Sequence, residues 1–152
     1  RNLYALDARD GTLRWQVGGS NWFWAGAVAD EKTIFAPSMD GNVYAIDANG
    51  SLLWKHDMGS PIVSRPVLVP RGLAVAGKNG KVSLLNTSQA AIGLKREISA
   101  LTLQDLEVKA PLYAVGEAVF VGAQNSTVRR IDLLAFTGVK WCFDTESNAS
   151  CE

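Results

Sequence analysis

The sequence has 152 residues, 47% of them apolar and 20% charged, and its 15 basic and 15 acidic side chains cancel. That balance excludes a disordered chain, which is poor in apolar residues and rich in net charge. It also disfavours a general nucleic-acid binder, which needs surplus Lys and Arg to neutralise phosphates.

Read in chain order, the sequence repeats itself. LYALDARDGTLRW starts at Leu3, VYAIDANGSLLW at Val43, a degenerate VSLLNTSQAAIGLKR at Val82 and VRRIDLLAFTGVKW at Val128, so the copies are spaced 40, 39 and 46 residues apart. Each copy is a short apolar strand, an Asp or Asn, a turn ending in Gly and, except in the third, a Trp. The third copy keeps only Asn86 and Gly93 of this pattern. The pairs Asp40-Gly41, Asn79-Gly80 and Asn125-Ser126 precede the later copies and predict two-residue type I′ hairpins. Further upstream, the apolar runs WAGAV at Trp24, VSRPV at Val63 and VKAPL at Val108 predict a buried first strand.

One unit therefore reads as four strands in about 40 residues. The expected strands are 3–7 and 13–17; then 23–29, 33–38, 42–47 and 52–57; then 64–69, 72–77, 81–86 and 93–97; then 108–114, 117–122, 127–132 and 138–143. Residues 99–107 are expected to be an insertion with room for one helical turn, explaining the longer third spacing. The domain organisation that follows is a half-blade at 1–18, blades at 19–58 and 59–98, and a blade at 99–152 carrying that insertion. The fold class is all-β: a β-propeller of four-stranded antiparallel blades, about three and a half of them. Such a sheet has apolar side chains on both faces and buries both only by stacking on neighbours. Fourteen strands do not close a ring of four-stranded blades, so the expectation is either an arc cut from a larger ring or an arc that stacks against another copy, its open end sheets favouring self-association.

The repeat resembles the PQQ-like repeat, the tryptophan-docking motif of quinoprotein propellers, which reads Ala-x-Asp-x-x-x-Gly-x-x-x-Trp. Ala5, Asp7, Gly11 and Trp15 match it in full. Ala45, Asp47, Gly50 and Trp54 match with one residue deleted, and Asp132, Gly138 and Trp141 match with altered spacing and Arg130 in place of the alanine. The resemblance implies that the Trp packs onto the next blade over a small residue, that the Asp accepts turn amides, and that the Gly supplies φ > 0. These are structural positions, since a cofactor site would occur once and the motif recurs.

Quinoprotein dehydrogenases of this superfamily resemble one another in a vicinal Cys-Cys ring and a Ca²⁺-binding carboxylate set. Here the only cysteines are Cys142 and Cys151, which are not adjacent. The expectation is accordingly no enzyme, no cofactor and no metal, in keeping with the BamB-like non-catalytic branch. The alternative is a fragment of a PQQ-dependent dehydrogenase. The lone histidine, His56, is expected to be a solvated side chain. The pairs Lys95-Arg96 and Arg129-Arg130 are expected to be solvated edges. Cys142 and Cys151 are either free thiols or one short disulfide loop. Sequons begin at Asn49, Asn86, Asn125 and Asn148.

The resemblance makes a rigid protein-interaction or sensor scaffold, binding a protein or peptide partner, the expected function, with no nucleic-acid partner and no membrane span. The longest apolar stretch, Trp22 to Ala29, is only 8 residues, against the ~20 that cross a bilayer. The candidate partner surface is Trp22, Trp24, Arg65 and Lys109. Its aromatic run Trp22-Phe23-Trp24 reads either as inter-blade core or as an exposed anchor, Trp being prominent in interface hot spots. PQQ-like propellers mostly work outside the cytoplasm, which makes a periplasmic, extracellular or lumenal setting the expectation.

Overall fold

The computed structural model describes residues 1–88, 95–134 and 137–151. Its strands form four antiparallel sheets in chain order. Strands β1 (Asn2–Leu6) and β2 (Leu13–Gly18) make a two-stranded half-blade. Strands β3 (Val28–Ala29), β4 (Thr33–Pro37), β5 (Asn42–Asp47) and β6 (Leu52–Asp57) make the second blade. The third holds β7 (Val67–Val69), β8 (Gly72–Ala76), β9 (Lys81–Leu85) and β10 (Glu97–Thr102). The fourth holds β11 (Tyr113–Val115), β12 (Ala118–Gly122), β13 (Thr127–Asp132), β14 (Gly138–Asp144) and a fifth strand, β15 (Ala149–Ser150). Each sheet is a meander, and consecutive sheets stack as the blades of a propeller arc. The innermost strand β7 lies beside both β3 and β11. Among the described residues no helix is long and apolar enough to cross a membrane.

Burial records the stacking. Strands β5, β8 and β9 are buried on nearly every residue, because both faces of their sheets meet a neighbouring blade. Strand β1 alternates exposed and half-buried, because only one face is covered. Leu3, Trp15 and Val17 of the half-blade pack on Ala36, Tyr44 and Ile46. Phe35, Val43 and Ala45 of the second blade meet Leu73, Val75 and Leu85 of the third. Ala74, Val82 and Leu84 then meet Val119, Val121 and Ile131 of the fourth. Full burial of a side chain such as Phe35 contributes roughly 1.5–3 kcal/mol, so the inter-blade layers carry the fold.

Five expectations are corrected. First, the innermost strands are short: 23–27, 64–66 and 108–112 lie outside the strands. Pro66 and Pro111 sit within these stretches and have no N–H to give a ladder. Second, the hairpins are not type I′. Gly41, Gly80 and Ser126 have positive φ, but Asp40, Asn79 and Asn125 do not. The Gly41 amide bonds to the Ser38 carbonyl at 3.1 Å and that of Gly80 to Gly77 at 3.1 Å, the pattern of a three-residue loop closed by a left-handed residue.

Third, residues 99–102 are not inserted; they belong to the outer strand of the third blade, so the boundary expected at 98/99 moves to about 103. Leu52 opens β6 ten residues after Asn42 opens β5, whereas Glu97 opens β10 sixteen after Lys81 opens β9, so the surplus lies between β9 and β10. The expected strand 93–97 is thereby displaced, and Gly93 falls outside the described residues. No helical turn follows β10; Gln104 and Asp105 form a plain turn. Fourth, β15 was not expected. It pairs with the end of β14, and the disulfide between Cys142 of β14 and Cys151, the residue after β15, fastens the pair at a Cα separation of 5.1 Å. Fifth, Gly138 is not a turn residue; it opens β14 opposite Asp132.

Candidate functional site: blade docks and an aromatic face

The motif residues form a dock between blades. Trp15 stands opposite Ala5 in its own hairpin. Its Nε1–H donates to the Ala48 carbonyl of the second blade at 2.9 Å, and its ring lies on Gly50, where an added Cβ would sit 2.7 Å from Cγ. Gly50 has φ +87°, which glycine adopts without strain. The carboxylate of Asp47 fixes that turn by accepting the amides of Asn49 and Ser51, each at 2.8 Å. Asp132 accepts the Leu134 amide at 3.0 Å, and Asn86 the Ser88 amide at 2.9 Å. Asp7 accepts the Arg9 amide and is further bridged by Arg9 and Arg14. The side chains of Arg9 and Arg14, with that amide, hold its carboxyl far below the usual range. Hydrogen bonds from the Ser51 and Asn49 amides likewise depress Asp47.

The third copy has a dock that the sequence concealed. Ser99 stands opposite Leu84 as Trp54 stands opposite Ala45. Its hydroxyl donates to the Leu133 carbonyl of the fourth blade, the residue after Asp132, just as Trp15 donates to the residue after Asp47. The surplus residues before β10 moved this position away from its expected spacing. At the preceding interface, Trp54 packs on Phe35 at a centroid distance of 5.8 Å, and the Arg96 guanidinium lies 4.2 Å from its ring centre. Arg96 also donates to the Asn86 and Ser88 carbonyls at 2.8 and 2.9 Å. Arg96 is therefore not the solvated edge expected of it. The buried Trp54 Nε1 has no hydrogen-bond partner among the described residues.

His56 is likewise not solvated. It is half-buried with its Nε2 unpartnered among the described residues, and burial lowers its pKa against the pull of Glu97. Among the described residues no cluster of three His, Cys, Asp or Glu side chains could hold a metal.

The second feature lies on the face where inter-blade connectors meet the β4–β5, β8–β9 and β12–β13 hairpins. One backbone bond recurs there. The Met39 amide donates to the Trp22 carbonyl at 2.8 Å, that of Lys78 to Pro61 at 2.8 Å, and that of Gln124 to Glu107 at 3.0 Å. Trp22 and Trp24 are 58% and 73% exposed, so the run is not inter-blade core; only Phe23 turns inward, edge-on to Tyr44 at 5.2 Å. Trp22, Trp24, Met39 and Val63 line an apolar cleft of about 360 Å³. An adjoining cleft of about 320 Å³ is lined by Trp24, Met39, Pro61, Val63, Lys78 and Lys109. Lys109 is tied to Glu107 at 2.8 Å and to Gln124 at 3.1 Å, and Lys78 lies 3.6 Å from Glu107. Lys109 in particular draws the Glu107 carboxyl below its usual range.

The structure thus brings Trp22, Trp24 and Lys109 together. Arg65 lines neither cleft; its stem runs past Gly26, 3.5 Å from where a Cβ would stand. Met39 and Lys78 were not anticipated. Each opens a three-residue hairpin loop, and that repeat position was the available signal.

Comparison with known proteins follows the geometry. Residues 1–72 match the family model described as outer membrane protein assembly factor BamB. Over that stretch, just under half of the chain, the repeats are similar to those of the BamB family model. The outer membrane protein assembly factor BamB of Yersinia pestis is 24% identical over 144 residues, covering 86% of this chain and 36% of its own. Among solved structures, BamB from Moraxella catarrhalis superposes with a TM-score of 0.71 at 17% identity, covering 98% of this chain and 42% of that one. The computationally designed Ika8 protein gives 0.78 at 18%, covering 96% and 44%. The quinohemoprotein alcohol dehydrogenase ADHIIG from Pseudomonas putida HK5 gives 0.69 at 15%, covering 84% and 21%. The chain spans about a third of the length of the curated BamB that it matches. The structural likenesses establish the propeller fold, which BamB shares with a quinohemoprotein alcohol dehydrogenase.

Proposed function

We propose that this chain is part of a non-catalytic propeller that binds a protein or peptide partner on the connector face, outside the cytoplasm. The observation that carries the reading is the pair of exposed indoles, Trp22 and Trp24, over a cleft walled by Met39 and Val63. An exposed apolar patch with a polar rim is the usual mark of a recognition surface, and aromatic side chains supply its anchoring energy. The Lys78–Glu107–Lys109 cluster forms the rim on one side.

The repeat carboxylates Asp7, Asp47 and Asp132 are engaged by turn amides, which accounts for them without catalysis. The resemblance to outer membrane protein assembly factors supports both the platform role and the extracytoplasmic setting. The Cys142–Cys151 disulfide supports an oxidising compartment.

The test is retention of partners from an extracytoplasmic extract by the full-length protein and its Trp22→Ala/Trp24→Ala variant. The expected result is a specific partner lost at least about tenfold in the variant, with unchanged circular dichroism. Undiminished retention sinks the placement. Catalytic turnover of alcohols by the full-length protein with added quinone and Ca²⁺ would favour the dehydrogenase fragment instead.

A further inference from the structure

The connector face carries a charge pattern that narrows what it binds, an inference that rests on the platform reading above. Its two clefts share a wall. Trp24, Met39 and Val63 line both; Trp22 completes the first, and Pro61, Lys78 and Lys109 complete the second. The result is a groove that is apolar on the Trp22 side and cationic on the lysine side. Its residues come from the connectors that enter the second, third and fourth blades and from the β4–β5 and β8–β9 hairpins. The second and third blades are each stacked on both faces. The exposure of the groove therefore does not arise from the open faces of the first and last sheets.

Charge along the groove has one sign. Among the described residues, the charged side chains lining the two clefts are Lys78 and Lys109. The nearby acids are placed elsewhere. Glu107 and Asp105 line a separate cleft with Gln124 and Asn125. Asp40, next to Met39, accepts the Ser20 and Asn42 amides at 3.2 and 2.9 Å and the Tyr44 hydroxyl at 2.6 Å.

Glu107 holds both ammonium groups without satisfying them. One carboxylate is shared between two cations, at 2.8 Å from Lys109 and 3.6 Å from Lys78. An ammonium has three N–H donors, and Lys109 spends two of them, on Glu107 and Gln124. The side chains of Lys78 and Lys109 are 43% and 50% exposed, so a second carboxylate can reach them from solvent.

We propose that this groove takes an extended peptide segment of the partner in which an aromatic or aliphatic side chain lies within about two residues of an Asp or Glu. The apolar side chain enters between Trp22, Trp24, Met39 and Val63, and the carboxylate completes the lysine pair. Alternate residues of an extended chain point to one side at a spacing of about 6.6 Å, which suits two clefts that share a wall. The indoles supply affinity and the lysines supply selection. A concave apolar site accepts an inserted side chain, whereas a bilayer surface is met by projecting apolar groups.

The experiment is calorimetric titration of the full-length protein with three sets of peptides, acetylated and amidated so that only side chains carry charge. All present Phe or Leu. The flanking residues are Asp and Glu in the first set, Asn and Gln in the second, Lys and Arg in the third. The acidic set should bind at least about tenfold more tightly than the amide set, and the basic set most weakly. Sodium chloride at about 0.5 M should remove most of that advantage. Lys78→Gln/Lys109→Gln should bind the acidic and amide sets alike with unchanged circular dichroism, and Lys78→Arg/Lys109→Arg should keep the preference. Trp22→Ala/Trp24→Ala should bind neither set. Equal binding of the acidic and amide sets to the wild type, lost in the indole variant, would overturn the charge rule and leave the platform reading standing. Acidic binding that survives the indole variant would overturn the site. Failure of every set, or binding to phosphatidylglycerol vesicles in preference to any peptide, would overturn the proposal, while the partner-retention test decides the platform reading separately.

Discussion

At the scale of single residues, the dock depends on an absent side chain. Gly50→Ala must place a methyl group against the Trp15 ring and hold φ +87°. The expected loss is about 2–4 kcal/mol, combining left-handed strain with overpacking. Gly59→Ala is the control, because Gly59 has φ +74° and open space around it. Urea unfolding should show it losing only about 1–2 kcal/mol; equal losses at the two sites would deny the Trp15 contact. A second residue-scale prediction concerns pH. Burial lowers the His56 pKa below 6.5, so the unfolded chain takes up that proton more readily than the fold does. The His56 contribution is complete above about pH 6.5 and is lost as pH falls through the folded pKa. The turn aspartates act lower: their depressed pKa values give stability that is present above about pH 4 and is lost on further acidification. Urea midpoints measured from pH 7.5 to 4.5 should therefore fall, and His56→Gln should flatten the upper part of that curve. An unchanged slope in the variant would assign the loss elsewhere.

At the scale of elements, Ser99 takes the place of a tryptophan. Ser99→Ala removes a hydrogen bond between β10 and the fourth blade and should cost about 1 kcal/mol. The effect should appear as faster amide exchange in the fourth blade, with the first two blades unchanged; uniform exchange changes would contradict a local dock. This element was not legible in advance. Gly93 satisfied the motif spacing and drew the outer strand to 93–97, whereas the pairing of Ser99 with Leu84 places it at Glu97–Thr102. Where no surplus residues intervene, alternation and turn residues sufficed: β5 and β6 run over 42–47 and 52–57, as the periodicity predicts. The innermost strands were read too long because apolar content does not register the missing N–H of Pro66 and Pro111. Strand β15 was missed because two residues carry no periodicity. It is held by the Cys142–Cys151 bond, so Cys151→Ser should speed amide exchange at Ala149 and Ser150.

At the scale of the whole molecule, the repeat was legible because one solution, a tryptophan or its substitute reaching the next blade's turn, recurs along the chain. The candidate site was legible only in part. The aromatic run Trp22-Phe23-Trp24 marked the right segment, but sequence could not say that Phe23 turns inward while its neighbours stand in solvent. Nor could it show Met39 and Lys78 arriving from two different hairpins. The central claim is that otherwise similar tryptophans divide between mortar and recognition surface according to blade position. Indole N–H exchange measured by nuclear magnetic resonance tests this residue by residue. The account predicts that the Trp15 Nε1–H, bonded to Ala48 beneath the second blade, exchanges at least about a hundredfold more slowly than those of Trp22 and Trp24. Exchange of Trp15 as fast as that of Trp24 would contradict the account.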